Sequence, residues 1–333
     1  MINTKPPSLA TITNLPKVEL HAHLSASMTR ASFKKLLVSK GIEQDLSSFN
    51  CKDSADAFNR IFKLLGQIIQ TKADLQFLAR EVFNGFKSEN VVYLEIRSTP
   101  KPLKDINPKQ YIDAVIEVMK EFQDSITVRY LLSINRAYPP EAYKDIFDEL
   151  QVNKEWQKWT VGIDLSGDPL KGDVDQFKQY FSVARNLGMK LSLHTAEVSG
   201  AAKETPRILE LEPERVGHFL FGTDDELRIL EERGTVIEVC PSSNMVTIGM
   251  KSMQEHPMPR FVQKGCKVVI CTDDILLFDQ NLSEQIHLVC ESFDLGVEFC
   301  KKITLDGLDG AFVEDEIRQR LKGAVIEAYK KFE

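Results

Sequence analysis

The chain has 333 residues, 43% of them hydrophobic, and a formal net charge of -7. That length exceeds the usual ~100–200 residues per domain, yet it suits an α/β barrel running as one unit over residues 1–333. The acidic balance, with no basic face, excludes a sequence-independent grip on nucleic acid. No window reaches the ~18–20 consecutive apolar residues of a membrane span.

Residues 1–14 are polar, contain prolines and lack the apolar stretch of a secretory signal. The six cysteines (Cys51, Cys240, Cys266, Cys271, Cys290 and Cys300) form no C-x-x-C pair. They read as free thiols in a reducing compartment, so a cytoplasmic location is expected. Short β-rich runs then recur at 17–24, 91–98, 126–135, 161–167, 190–197, 215–221, 235–243 and 267–274. Segments 108–125, 174–188 and 225–234 lie between them, with apolar spacing of three and four, and the last two end in glycine. Strands alternating with helices imply parallel strands joined by crossovers. Eight such units predict a closed (β/α)8 TIM-type barrel. The longest gap, residues 29–90, holds several helical stretches and reads as a helical insertion after the first strand, a wall or lid over a site.

Barrel chemistry sits at the C-terminal ends of strands. The first run ends in His21 and His23. Side chains on a strand alternate, so H-x-H aims both imidazoles to one side. The fifth run carries His194-Thr195-Ala196-Glu197, the sixth His218, and the eighth Asp273-Asp274. A lone histidine at a strand end is more often a satisfied structural residue. Three imidazoles and one carboxylate from His21, His23, His194 and Asp273 make a donor set suited to zinc or a similar divalent ion, with room for water. Adjacent aspartates repel, but a cation on Asp273 removes much of that cost and leaves Asp274 to face a ligand. Glu197 stands where its strand breaks, beside the ion. His256 and His287 fall elsewhere and receive no role.

From VELHAHL through IDLSGDP, HTAE, RVGH and CPSSN to TDD, the chain resembles the adenosine and AMP deaminase superfamily. The segment YLEIRSTPK is most similar to its N6-methyl-AMP deaminase branch. The resemblance implies one zinc ion per chain, held by the four residues above. It implies that Glu197 hands a proton to purine N1, and that His218 orients and helps deprotonate the attacking water. Asp274 would bond purine N7, and the backbone N–H of Gly167 would meet N3. The implied reaction converts N6-methyl-AMP to IMP and methylamine by attack of water at C6. Adenosine deamination is the alternative, and a non-catalytic purine-binding relative is a third reading. Ser98, Thr99, Pro100 and Lys101 follow the second strand and supply hydroxyls, N–H groups and an ammonium for a phosphate. Cytidine-type deaminases use H-x-E with P-C-x-x-C; this chain has no P-C-x-x-C.

The substrate wall departs from the family pattern. Ser25-Ala26 replace Asn-Gly after H-A-H-L, Gly66 replaces a histidine, and Asn135 an aspartate. Phe219 stands for a glycine and Ile275 for a proline. The expected ligand is a small purine nucleotide or nucleoside contacted by His23, Ser25, Ser98, Thr99, Pro100, Lys101, Asn135, Gly167, His194 and Asp274. The chain is expected to be a monomer with no nucleic-acid or membrane partner.

Overall fold

A computed structural model describes residues 5–44 and 55–332; Cys51 lies outside them. Eight strands form one sheet: β1 (Lys17–His23), β2 (Val91–Ser98), β3 (Thr127–Asn135), β4 (Thr160–Ser166), β5 (Lys190–Thr195), β6 (Arg215–His218), β7 (Val236–Val239) and β8 (Lys267–Ile270). They run in sequence order, each parallel to the next. A bridge between Ala22 and Asp273 joins the last strand region to the first. Two backbone bonds make it, His23 N–H to the Asp273 carbonyl (3.1 Å) and Asp273 N–H to the His21 carbonyl (2.8 Å). The fold is a (β/α)8 TIM-type barrel.

The crossover helices carry their boundaries in the sequence. Pro108–Phe122 starts from a capping box of Asn107 and Gln110, with proline in its first turn. Asp224–Arg233 starts from Thr223 and Glu226 and stops at Gly234, whose φ is 67°. The stretch after β1 contains helices Arg30–Ser39, Ala55–Ile68 and Lys72–Ser88. The last packs on β2 and on Pro108–Phe122, so it is the barrel's own first crossover rather than insertion. Among the described residues no helix is long and apolar enough to cross a membrane.

Four strand expectations overran by two residues or more. Runs 190–197, 215–221, 235–243 and 267–274 end as strands at 195, 218, 239 and 270. Apolar composition continues past those points, but the backbone turns. Ala196, His218, Phe219 and Asp273 have φ of 49°, 66°, 58° and 60°. Left-handed backbone at non-glycine residues costs about 1–3 kcal/mol each, and such strain collects at functional sites.

Candidate active site

The inward side of β1 reads Glu19, His21, His23, every second residue, while Val18, Leu20 and Ala22 face outward into the core. Its histidines meet His194 from β5 and Asp273 from beyond β8. His23 Nε2 lies 3.3 Å from His194 Nε2. It is also 3.3 Å from Asp273 Oδ1, and His21 Nε2 is 3.5 Å from that oxygen. Two ligands bound at about 2.0–2.1 Å in tetrahedral array stand roughly 3.3–3.4 Å apart, so the donors are spaced to share one ion. His21 Nε2 is buried with no hydrogen-bond partner, which is the condition of a lone pair awaiting a cation. Grouped by reach, His21, His23 and His194 form one set of donors, and His21, His218 and Asp273 another.

Carboxylates that sequence reasoning passed over orient these rings. His21 Nδ1 donates to Glu238 (2.6 Å) and His194 Nδ1 to Asp164 (2.8 Å), leaving each Nε2 aimed at the common point. Both carboxylates are fully buried and are bound by Arg97, at 2.9 Å to Glu238 and 3.2 Å to Asp164. Arg215 joins Glu238 to Glu95. Glu19 accepts the N–H groups of His21 (2.7 Å) and Thr272 (2.9 Å), tying β1 to the end of β8. Ser27, rather than Ser25, holds the turn after β1, donating to the carbonyl of His23 at 2.8 Å. Gly217 of β6 clears space: a Cβ there would sit 2.8 Å from His21 Cε1.

Glu197 lies beside this cluster, 4.0 Å from His218 Nε2. Burial, then the Asp273 charge, push its carboxyl up to about 7. Burial and Asp273 also hold the Asp274 carboxyl well above the usual carboxylate range, and one of its oxygens is buried without a partner. Burial opposes ionisation of Asp273 as well, but His21, His218 and His23 hold it ionised. The site therefore contains a cation-ready donor set and an adjacent carboxyl able to carry a proton near neutral pH.

The remaining expected residues fall at strand ends on the same barrel face. Ser98 is buried and its hydroxyl is engaged by Tyr130 (2.8 Å). Thr99 is half-buried and Pro100 buried. The Lys101 ammonium is half-buried, has no hydrogen-bond or ion-pair partner among the described residues, and is pushed below its usual range by desolvation. Asn135 folds its side chain onto its own turn, accepting from Ala137 N–H at 2.9 Å. Gly167 has φ of 93°, and a Cβ there would overlap the Asn135 side chain. Ser25 is half-buried in the turn Leu24–Ala26. Phe219 is fully buried against Phe261 and Gly222, so its bulk is absorbed by packing. Gly66 lies on an exposed helix face with open space around it.

The adenosine deaminase family model matches residues 16–328. N6-methyl-AMP deaminase of Danio rerio is 30% identical, over 92% of this chain and 93% of the relative. Adenosine deaminase of Clostridium perfringens is 29% identical, over 94% and 98%. The crystal structure of arabidopsis ADAL complexed with IMP superposes with a TM-score of 0.86 at 29% identity, covering 97% of this chain and 99% of that one. With barrel, histidine cluster and end-to-end match agreeing, the chain belongs to the adenosine deaminase family, hydrolases acting on C–N bonds of purines.

Proposed function

We propose that the protein is a zinc-dependent deaminase of 6-substituted purine nucleotides, converting N6-methyl-AMP and water to IMP and methylamine. His21, His23, His194 and Asp273 would hold the ion. Bound there, zinc supplies the Lewis acidity that makes water nucleophilic near neutral pH.

The chain's own groups do the rest. Attack at C6 loads electrons onto N1, and Glu197, protonated near neutral pH by its burial, delivers the proton there. His218 orients the water. Asp274, buried with a free oxygen, hydrogen-bonds N7. The backbone N–H of Gly167 serves N3. A cytoplasmic location, where thiols stay reduced, goes with this reading.

The observation that carries the nucleotide over the nucleoside is Lys101. A half-buried ammonium with no acidic partner among the described residues costs desolvation energy unless an anion meets it. The relatives named for N6-methyl-AMP and the neighbour holding IMP favour the same class. Replacing Lys101 with alanine tests it. The kcat/KM for N6-methyl-AMP should fall about 10- to 100-fold, the worth of one charge-assisted hydrogen bond, while that for N6-methyladenosine stays constant. Equal values for both substrates in wild type and variant would assign the protein to nucleosides instead.

A further inference from the structure

His256 has no role in the chemistry above, yet it is buried with both ring nitrogens engaged. Its backbone is fixed between the turn Met253–Glu255 and Pro257. Its Nδ1 lies 3.0 Å from the backbone N–H of Met258. A backbone N–H can only donate, so Nδ1 must accept and the ring's hydrogen must sit on Nε2. Nε2 lies 3.0 Å from Asn244 Oδ1, so the donated bond runs from His256 to the amide oxygen. That fixes the Asn244 amide, whose NH2 then faces His218 Nδ1 at 2.9 Å. Asn244 is fully buried on helix Pro241–Ile248 and has no room for a solvent partner. Nδ1 of His218 is thereby an acceptor, and the hydrogen of that ring lies on Nε2, the nitrogen facing Glu197 across 4.0 Å.

We propose that His256 and Asn244 are positioning residues that lock His218 in the tautomer bearing hydrogen on Nε2, so that His218 enters the reaction centre as a hydrogen-bond donor. The chain of bonds starts from a peptide N–H, which cannot reverse, and each later group has one orientation that satisfies both neighbours. Reversing the amide would set its NH2 against the His256 Nε2–H and its oxygen against a ring nitrogen stripped of its acceptor role. The burial that pushes the His256 ring down to about 4 agrees with a neutral ring. The assignment refines the role drawn from resemblance. An Nε2–H orients the attacking oxygen but does not remove its proton, which passes to Glu197 once that carboxyl has given its own proton to N1. The chemistry it serves rests on the deaminase reading; the tautomer itself does not.

The direct readout is a long-range 15N–1H correlation spectrum of zinc-loaded protein labelled in histidine, with His218 assigned by its loss in His218→Gln. The expected pattern is hydrogen on Nε2 and a bare Nδ1. Asn244→Asp presents only acceptors to the ring, so the hydrogen should move to Nδ1, and kcat should fall about 10- to 100-fold with KM nearly unchanged. His256→Leu frees the amide and should give mixed tautomers with a similar loss. His256→Gln keeps a donor toward Asn244 Oδ1 and should restore both the spectrum and most of kcat. Should His256→Leu unfold, the nearly isosteric Asn244→Asp decides. Hydrogen on Nδ1 in wild type, or an unmoved tautomer and unchanged kcat in Asn244→Asp, overturns the proposal. The expected tautomers with no deamination of any 6-substituted purine would uphold it while removing the deaminase reading.

Discussion

Glu197 is useful because its surroundings make its ionisation costly. A carboxyl whose folded pKa, about 7, lies above its ordinary value near 4.5 takes up protons on folding. Its contribution to stability is fully present below about 4.5 and is lost as pH rises through about 7, a swing of about 3 kcal/mol. Metal-free wild type should therefore lose Tm between pH 5 and pH 8 more steeply than metal-free Glu197→Gln. Parallel curves would mean that the carboxyl is not desolvated. In the loaded enzyme the same substitution should lower kcat by about 10²- to 10⁴-fold with zinc content unchanged, which metal analysis and a rate assay decide together. His21, His23, His194, Asp273 and Glu197 were legible in the sequence because each stands at a strand end where an apolar residue is the default. Glu238, Asp164 and Asn244 were not, although each is buried and orients a histidine. Glu238 and Asp164 sit within apolar strand runs, and Asn244 follows Pro241-Ser242-Ser243 at a helix start; a single carboxylate or amide there does not reveal which ring it meets across the barrel.

At the scale of elements, β1 and the end of β8 are one device. The backbone bonds that close the barrel link His21, His23 and Asp273, and Ser27 reinforces them with bonds to the carbonyls of His23 (2.8 Å) and Asp273 (3.3 Å). Closing the sheet and bringing together the proposed metal ligands are thus the same event. Replacing Glu238 with Gln, which weakens the hold on His21 without changing shape, should cost about 10- to 100-fold in zinc affinity by competitive chelator titration. Undiminished affinity would mean that β1 alone aims the ring. The alternation Glu19, His21, His23 was present in the sequence, and it marks an interior lined with polar and charged groups. The strand ends were misjudged for a different reason. Composition carries no sign of φ, and left-handed backbone at Ala196, His218 and Asp273 is imposed by the tertiary structure around them.

Across the whole molecule, the barrel interior near the site is ionic where barrels of this kind are usually filled by layers of branched aliphatics. Glu95, Arg215, Glu238, Arg97 and Asp164 form one buried chain spanning β2, β4, β6 and β7, and it ends on the His21 and His194 rings. Each charge is tolerated because the next compensates it. Arg97→Leu should leave Asp164 without an arginine and Glu238 with Arg215 alone, and destabilise the fold by about 3–5 kcal/mol, seen as a lower denaturant midpoint. A change under about 1 kcal/mol would show that the carboxylates find other partners. The eightfold alternation was readable from periodicity alone. The ion chain was not, because its members are separated by up to 143 positions and only the closed barrel brings them together.

The most direct test measures zinc per chain and then initial rates on N6-methyl-AMP, AMP, N6-methyladenosine and adenosine with the same preparation. The expected result is one zinc per chain, with the highest kcat/KM on N6-methyl-AMP and release of methylamine. Protein that binds no zinc, or zinc-loaded protein that turns over none of the four, would contradict the deaminase account.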